Sequence, residues 1–359
     1  MLKEKSNNKI INLKEKPKTD DFLNILRLVA PGTKLRTAIE GTSKMGRGAL
    51  IIVENEKTKQ VCEGGFRINS RLTPQKLMEL SKMDGAITLS NDMKRINQAN
   101  VTLIPDSRTP SDETGTRHKA AERTAKLSET LTIAVSEKKK EVNIYYKNIK
   151  YHLREISQVL RKATDTLQIL EKQRDLFDKN IEKLNEMELR NDFQLSQACK
   201  VIQKGKSMQK ILKMIEKDII ELGKEAQTIK PRIKEIMQGI SKETDLIIKD
   251  YTKLNVKKTN NILDSLSYEE LVDNNNIFAA LAQEKTDRIE KIKGWRILTK
   301  TILSEKEISE MTKELDSLGK ILYAKKEKYE EIFGEKEKSE TFSEEIYRIK
   351  TDNFMPLKR

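Results

Sequence analysis

Short apolar runs alternate with helical stretches along the first 146 residues. The apolar runs have the length of buried strands, and turn residues such as Gly, Pro, Asp and Ser bound them. Strands that alternate with helices are typical of an α/β domain with a central sheet. The predicted strands are residues 48–53, 87–89, 101–104, 131–135 and 142–146, and the predicted helices are residues 21–30, 74–82 and 118–127.

Beyond residue 146 the pattern becomes a long helical repeat. Apolar residues recur at spacings of four and three over about five heptads, and only Arg174 interrupts them. This period predicts a long helix that packs lengthwise, either in an intramolecular bundle or in an intermolecular coiled coil. The same helix would carry His152 as a structural residue. The seam consists of Ile149, Leu153, Ile156, Leu160, Ala163, Leu167, Leu170, Phe177, Ile181 and Leu184.

The positive charge of the chain is unevenly spread. The 359 residues have a net charge of +14. Residues 1–146 contain 27 Lys and Arg against 18 Asp and Glu, residues 147–290 contain 27 against 24, and residues 291–359 contain 16 against 14. A C-terminal DNA-binding module would be expected to carry the basic excess itself. The distribution therefore favours a nucleotide enzyme over a plain DNA binder.

The cysteines and the hydropathy limit the cellular context. Cys62 and Cys199 are far apart, which suggests neither a disulfide framework nor a zinc site. We find no signal peptide and no apolar run long enough to cross a bilayer. We therefore expect a soluble, cytoplasmic protein that does not contact a membrane.

Residues 113–126, which read ETGTRHKAAERTAK, have the pattern of a phosphate-binding helix start. A loop of small residues leads into strong helix formers, so backbone N–H groups and the positive end of the helix dipole meet at one point. Arg117, His118 and Lys119 add cationic groups there. The alternative interpretation is a solvated, basic helix start without a ligand.

A carboxylate lies about thirty residues upstream, in the sequence MDGAITLS. Asp84 and Gly85 precede the apolar run at Ile87, so they predict a turn that enters a strand. Most Asp-Gly pairs are only turns. Together with the cationic helix start, however, this turn could supply a carboxylate for a divalent cation beside a polyphosphate.

The two motifs in this order resemble the diadenylate cyclase (DAC) domain family, whose signatures are DGA and RHR. The resemblance continues through GRGALIIV, EGGFRIN, LTPQKLMELSKMDGA, ANVTLIPD and AVSEK, and so covers nearly all of residues 1–146. It implies an α/β cyclase domain with a central mixed sheet flanked by helices, followed by an all-α domain and a small C-terminal helix-hairpin-helix-like domain. The corresponding ranges are 1–146, 147–290 and 291–359.

The resemblance also implies the reaction and its assembly. Two ATP molecules are joined into cyclic di-AMP with loss of two pyrophosphates, and two cyclase domains must face each other because each nucleotide attacks the other. The family pairs these domains within a homo-octamer. It also implies Mg²⁺ or Mn²⁺ as the cofactor and an intramolecular bundle for the helical region.

The family's site residues transfer to matching positions of this chain. Asp84 would hold the metal and help to deprotonate the attacking hydroxyl, and Arg117 and His118 complete the catalytic set, with His118 expected to contact phosphate. Lys119 replaces the second arginine of RHR, and Ala120 stands where many relatives have threonine. The nucleotide-binding positions are Gly85, Ala86, Leu103 (near the adenine), Thr116, Arg117, His118, Lys119, Ala120 and Ser136 (near the phosphates).

The C-terminal hairpin departs from the family pattern, which presents backbone amides of a GIG sequence to a DNA phosphate. Here Ile332 replaces the first glycine of that hairpin, Gly334 remains, and acidic residues begin the next helix. Both changes weigh against binding of branched DNA. Trp295, at the start of this segment, is expected to be a packing residue. The competing hypotheses are a DNA-binding scanning protein with a weakened or inactive cyclase and a purely structural coiled-coil assembler.

Overall fold

The protein is described by a computed structural model that covers residues 19–283 and 289–351. The chain forms two compact units. The first contains the residues up to Arg161 together with Lys217–Gln227, and the second contains Lys162–Glu216 and the chain from Thr228 onward. The domain limits after residues 146 and 290 remain predictions. Among the described residues, no helix has the length and apolar composition that a membrane crossing requires.

The first unit is built on one mixed, eight-stranded sheet. Its strands are β1 (Ala49–Val53), β2 (Cys62–Glu63), β3 (Phe66–Arg71), β4 (Ala86–Leu89), β5 (Arg95–Leu103), β6 (Thr132–Val135), β7 (Val142–Tyr146) and β8 (Ile149–Leu153). The order is β2-β5-β4-β1-β6-β7-β8, and β3 also pairs with β5. Among the described strands, β1 and β4 run parallel to each other, and the other pairs are antiparallel.

Helices cover both faces of this sheet. The helices of the first unit are α1 (Thr19–Leu28), α2 (Lys34–Lys44), α3 (Pro74–Leu80) and α4 (Thr116–Ser128). Residues of α1 to α3, among them Ile39 and Leu77, pack on one face of the sheet. Ala121 and Ala125 of α4 pack on the other, against Leu50 and Ala134 among others. The sequence prediction of an α/β domain with a mixed central sheet is confirmed.

The sequence missed α2, β2, β3 and β8. The side chains of β3 are largely exposed, so its sequence has no apolar run. The largest correction concerns Ile149 and Leu153, which were assigned to the long helix but lie on β8. His152 therefore also lies on a strand, where its Nδ1 is 3.0 Å from Oδ1 of Asn143.

The long helix begins at Ile156, and the chain beyond it is almost entirely helical. Leu170, Phe177 and Leu184 of the predicted seam are fully buried within this chain, which confirms an intramolecular bundle. Pro231 lies in the first turn of its helix, where its missing N–H is tolerated. The helices are α5 (Ile156–Leu189), α6 (Leu195–Leu222), α7 (Ile229–Met237), α8 (Ile240–Tyr251), α9 (Val256–Ser265), α10 (Asn274–Ala280), α11 (Trp295–Leu298), α12 (Glu305–Glu314), α13 (Leu318–Tyr323), α14 (Lys326–Phe333) and α15 (Lys336–Thr351).

A buried arginine ties α11 to the rest of the second unit. Arg296 is fully buried and donates to Oε2 of Glu188 at 2.5 Å and to Oδ1 of Asn185 at 2.5 Å. Tyr251 donates to the other oxygen of Glu188 at 2.9 Å. Removal of the arginine would therefore leave a carboxylate with no countercharge of its own in the interior.

We expect Arg296→Met to lower the free energy of unfolding by about 3 kcal/mol or more, because Glu188 would stay buried without its ion-pair partner. Urea unfolding followed by the fluorescence of Trp295, the single tryptophan, measures this. The matched control is Arg232→Met, since Arg232 is half exposed and pairs with Glu171 and Glu235 at the surface. Its loss should cost less than about 1 kcal/mol. Equal losses in both variants would contradict the assignment.

Candidate active site

The strand topology brings three predicted site segments to one edge of the sheet. Gly48 precedes β1, and Asp84 precedes β4, which runs parallel to β1. Ser136 follows β6, which runs antiparallel to β1, and Leu103 ends β5, which runs antiparallel to β4. These positions therefore lie at the same end of four neighbouring strands. Adjacent strands are about 4.8 Å apart, so the edge that these positions form has about the width of one nucleotide.

The DGA turn depends on Gly85. Its φ is +83°, and a β-carbon there would lie 2.9 Å from the backbone carbon of Asn100 and from the oxygen of Val101. Glycine is the residue that tolerates both conditions. Ala86 then enters the buried cluster under α4, while Asp84 stays exposed. Within the described chain, the Asp84 carboxylate makes no hydrogen bond or ion pair and is open to a ligand.

The start of α4 is also open. Gly115 is the N-cap residue, and no side chain of the described residues caps the helix. Thr116 is the first helical residue and is exposed. The first backbone hydrogen bond of the helix runs from Lys119 N–H to the Gly115 oxygen at 2.8 Å. The preceding N–H groups therefore face outward, with the positive end of the helix dipole behind them.

Helical spacing directs Arg117 and His118 towards the sheet, because they precede the buried Ala121 by four and three residues. The guanidinium of Arg117 lies directly against the backbone of Gly48. A β-carbon at Gly48 would be 2.1 Å from Nη1 and 2.5 Å from Cζ of this arginine. The missing side chain at Gly48 therefore leaves room for Arg117.

His118 contacts the same face of the sheet at strand β7. Its Nδ1 lies 3.0 Å from the hydroxyl of Tyr145 on β7. That hydroxyl donates to Oε1 of Glu113 at 2.6 Å. Burial lowers the pKa of His118, and Arg117 lowers it further, while Glu113 opposes both. The imidazole is therefore mainly neutral at pH 7 in the free protein.

The remaining predicted residues differ in how directly they face this edge. Lys119 and Ala120 lie in the first turns of α4 and are half-buried, but Lys119 is half a turn away from the sheet-facing side. Leu103 packs at the rim of the cluster that contains Ala86. Ser136 accepts a hydrogen bond from Lys139 N–H at 3.2 Å in the turn after β6. Asp84, Gly85, Ala86, Leu103, Arg117 and Ser136 are thus brought together, with His118 beside them.

The sequence analysis missed the roles of Gly48, Glu113 and Tyr145. Glu113 begins the motif stretch, and Tyr145 lies in a predicted strand, but nothing local shows that they meet. No group of three or more His, Cys, Asp or Glu suited to a metal ion occurs in the described parts of the chain. A cation at Asp84 would therefore need most of its ligands from the nucleotide.

The comparisons with known proteins agree with this geometry. Residues 36–149 match the DAC family, described as the nucleotide-binding region of the DisA bacterial checkpoint controller. Residues 153–289 match the linker region of the same controller. These matches identify the first domain as a diadenylate cyclase, a class of nucleotidyltransferase.

The chain belongs to the DisA family. It is 37% identical to the DNA integrity scanning protein DisA of Clostridium tetani over 281 residues, which is 77% of this chain and 75% of the relative. It is 34% identical to the DisA of Acetivibrio thermocellus over 329 residues, or 89% and 91% of the two chains. A solved double mutant of DacA from Staphylococcus aureus is 23% identical and covers 38% of this chain and 91% of its own, with a TM-score of 0.30.

We expect Gly48→Ala to lower kcat/KM for ATP by roughly ten- to a hundredfold, because the new methyl group displaces the Arg117 guanidinium by an ångström or more. Steady-state kinetics measure the effect. Gly46→Ala is the control: Gly46 has a φ of +66° but no atom within 4 Å of an added β-carbon. It should cost about 1 kcal/mol of stability and little activity. Wild-type kinetics for Gly48→Ala would contradict the proposed contact.

Proposed function

We propose that the chain condenses two ATP molecules into cyclic di-AMP and two pyrophosphates, with two copies of the candidate site facing each other. The observation that supports this most is the meeting of Asp84, Arg117 and Ser136 at one sheet edge. Each 3′-oxygen forms a bond to the α-phosphorus of the opposite nucleotide while the bond between that phosphorus and pyrophosphate breaks. Because one edge of this size holds one nucleotide, the reaction requires two edges.

In this proposal the chain's own residues act by placement and charge neutralisation. The guanidinium of Arg117 and the open N–H groups of α4 bind the triphosphate. Ser136 lies beside them for a further phosphate contact, and Leu103 offers an apolar contact to the adenine. Lys119 faces away from the sheet, so it would reach only phosphates that extend past the helix start.

Asp84 suits a hard divalent cation, Mg²⁺ or Mn²⁺, because it is an exposed oxygen ligand with no protein partner in the described chain. When bound, such a cation would neutralise phosphate charge and make the 3′-hydroxyl more acidic. Asp84 would hold it beside the phosphates and orient the attacking hydroxyl. One carboxylate from each facing domain then serves each of the two bond-forming events.

We further propose that the facing pairs assemble into the homo-octamer that the family resemblance implies. The chemistry itself requires only the pair, since two reactive hydroxyl groups and two α-phosphates close the ring. A larger assembly would keep the two domains at a high local concentration.

For the C-terminal hairpin we propose weak DNA binding or none. Gly334 has a φ of +68° and joins α14 to α15, whereas Ile332 lies inside α14, so its β-branched side chain meets no positive φ. Three lysines near the hairpin, Lys326, Lys328 and Lys338, form ion pairs. Ion pairs join Lys326 to Glu340 at 2.7 Å and Lys328 to Glu331 at 2.6 Å. Paired lysines release few counterions from DNA and so contribute little affinity.

Incubation with ATP and Mn²⁺, followed by chromatography for the cyclic dinucleotide, tests the activity. We expect Asp84→Asn to lower product formation at least about a hundredfold, because the neutral amide no longer holds the cation. Asp92→Asn is the control: Asp92 is also exposed, but it follows the opposite end of β4. Undiminished product from Asp84→Asn would remove this residue from the mechanism, and no product from the wild type would refute the activity.

A gel-shift assay with branched DNA tests the hairpin. The wild type should not retard a four-way junction at physiological salt, and the junction should not slow the cyclase reaction. Glu337→Lys provides the comparison, because it replaces an acid in the first turn of α15 by a cation. This variant should bind more strongly than the wild type. Tight, salt-sensitive retardation by the wild type would show that the altered hairpin still binds DNA.

A further inference from the structure

A chain of polar side chains runs behind His118 on the α4 face of the sheet. Lys150 donates to Oε1 of Glu113 at 2.6 Å, and Tyr145 donates to the same oxygen at 2.6 Å. The Tyr145 oxygen lies 3.0 Å from Nδ1 of His118. Asn143, on the same strand, places its Nδ2 3.4 Å from that nitrogen. Tyr145 is fully buried, whereas Lys150 at the outer end of the chain is half exposed.

The chemistry of these groups fixes the direction of each hydrogen bond. Burial alone would raise the pKa of Glu113, but hydrogen bonds from Lys150 and Tyr145 outweigh it and lower the pKa. Glu113 is therefore a carboxylate, which only accepts. Tyr145 gives its single hydrogen to Glu113, so its oxygen can only accept from His118. A 3.0 Å contact between these atoms then requires a hydrogen on Nδ1.

Asn143 does not alter this direction. Its Oδ1 lies 3.0 Å from Nδ1 of His152, and its amide nitrogen faces His118. At 3.4 Å from Nδ1 this nitrogen is beyond the usual hydrogen-bond distance, so it does not replace the 3.0 Å contact with Tyr145. The phenol oxygen thus accepts from His118 and donates to the Glu113 carboxylate.

We propose that Tyr145, held by Glu113, is a positioning residue that fixes the His118 ring with the proton on Nδ1, so that Nε2 faces the bound nucleotide. This inference rests on the proposed function, because it assigns a task to the nucleotide side of that site. Nδ1 and Nε2 lie on different edges of the imidazole. Tyr145 occupies the first edge, which leaves the second for the ligand.

This arrangement has a chemical use. With Nδ1 always bound to Tyr145, Nε2 is an acceptor in the neutral ring and becomes a donor to a phosphate oxygen when the ring is protonated. The ring does not have to turn between the two states. Besides Glu113 and Lys150, the charged groups that act on it are Arg117 beside it and Glu141.

A purely structural role would use only the ring of Tyr145, which packs in the buried cluster with Ala86 and Ala121. Phenylalanine keeps that packing and removes only the hydroxyl. We expect Tyr145→Phe to lower kcat by roughly tenfold or more, while KM for ATP changes less than about threefold, because Arg117 and the helix start still bind the triphosphate. Tyr146→Phe is the matched control, since Tyr146 packs on the opposite face of the sheet. Its kinetics should equal those of the wild type.

A double-mutant cycle separates positioning from other effects. If Tyr145 acts through His118, Tyr145→Phe should change kcat less than twofold in a His118→Ala background. If Tyr145→Phe fails to fold, Glu113→Ala replaces it, because Glu113 holds the Tyr145 hydroxyl from the loop before α4. Glu113→Ala should lower kcat in the wild-type background and change it less than twofold in the His118→Ala background. The inference is overturned by an equal loss in both backgrounds, or by wild-type kcat in the foldable single variant.

A spectroscopic measurement does not depend on activity. The chain has only two histidines, so ¹⁵N solid-state NMR of the full-length, histidine-labelled protein contains two imidazoles, and His118→Ala assigns them. Neutral His118 should show a protonated Nδ1 and an unprotonated Nε2, and Tyr145→Phe should lose this preference. A protonated Nε2 in the neutral wild type would overturn the inference, whether or not cyclic di-AMP is formed. Absence of the product alone would refute only the proposed function.

Discussion

The close approach of α4 to the sheet is the constraint on which the candidate site depends. Ala121 and Ala125 contribute only methyl groups to the cluster that contains Leu50 and Ala134, so the helix packs close to β6 and β7. Larger side chains at these positions would lift the helix and carry Arg117 away from Gly48. Two features therefore bring a cationic group to the backbone at the sheet edge: the missing side chain at Gly48 and the small residues of α4.

Much of the first unit could be predicted because most of its central strands are buried on both faces. β1, β6 and β7 read as apolar runs for that reason, and the predicted ranges match them closely. β8 was misassigned because residues four apart, such as Ile149 and Leu153, share a face in a strand as well as in a helix. Spacing alone could not separate the two structures.

The candidate site was predicted where its residues are contiguous and missed where they are not. DGA and TGTRHK each form a local turn or helix start, so their residue types already suggest their chemistry. Gly48 and Tyr145 acquire their roles only from Arg117 and His118, which are far from Gly48 and about thirty residues from Tyr145 in sequence. The same holds in the second unit, because the sequence around Arg296 does not indicate that it pairs with the buried Glu188.

The bare start of α4 has an energetic consequence. Gly115 supplies no side-chain acceptor, so within the described chain no side chain caps the first N–H groups of the helix. A bound phosphate would complete this end of the helix as a serine or aspartate does elsewhere. Phosphate binding would then stabilise the first helical turn, and the cost of ordering that turn would lower the net affinity for the nucleotide. The first turn of α4 is therefore the part of the fold whose rigidity depends on the ligand.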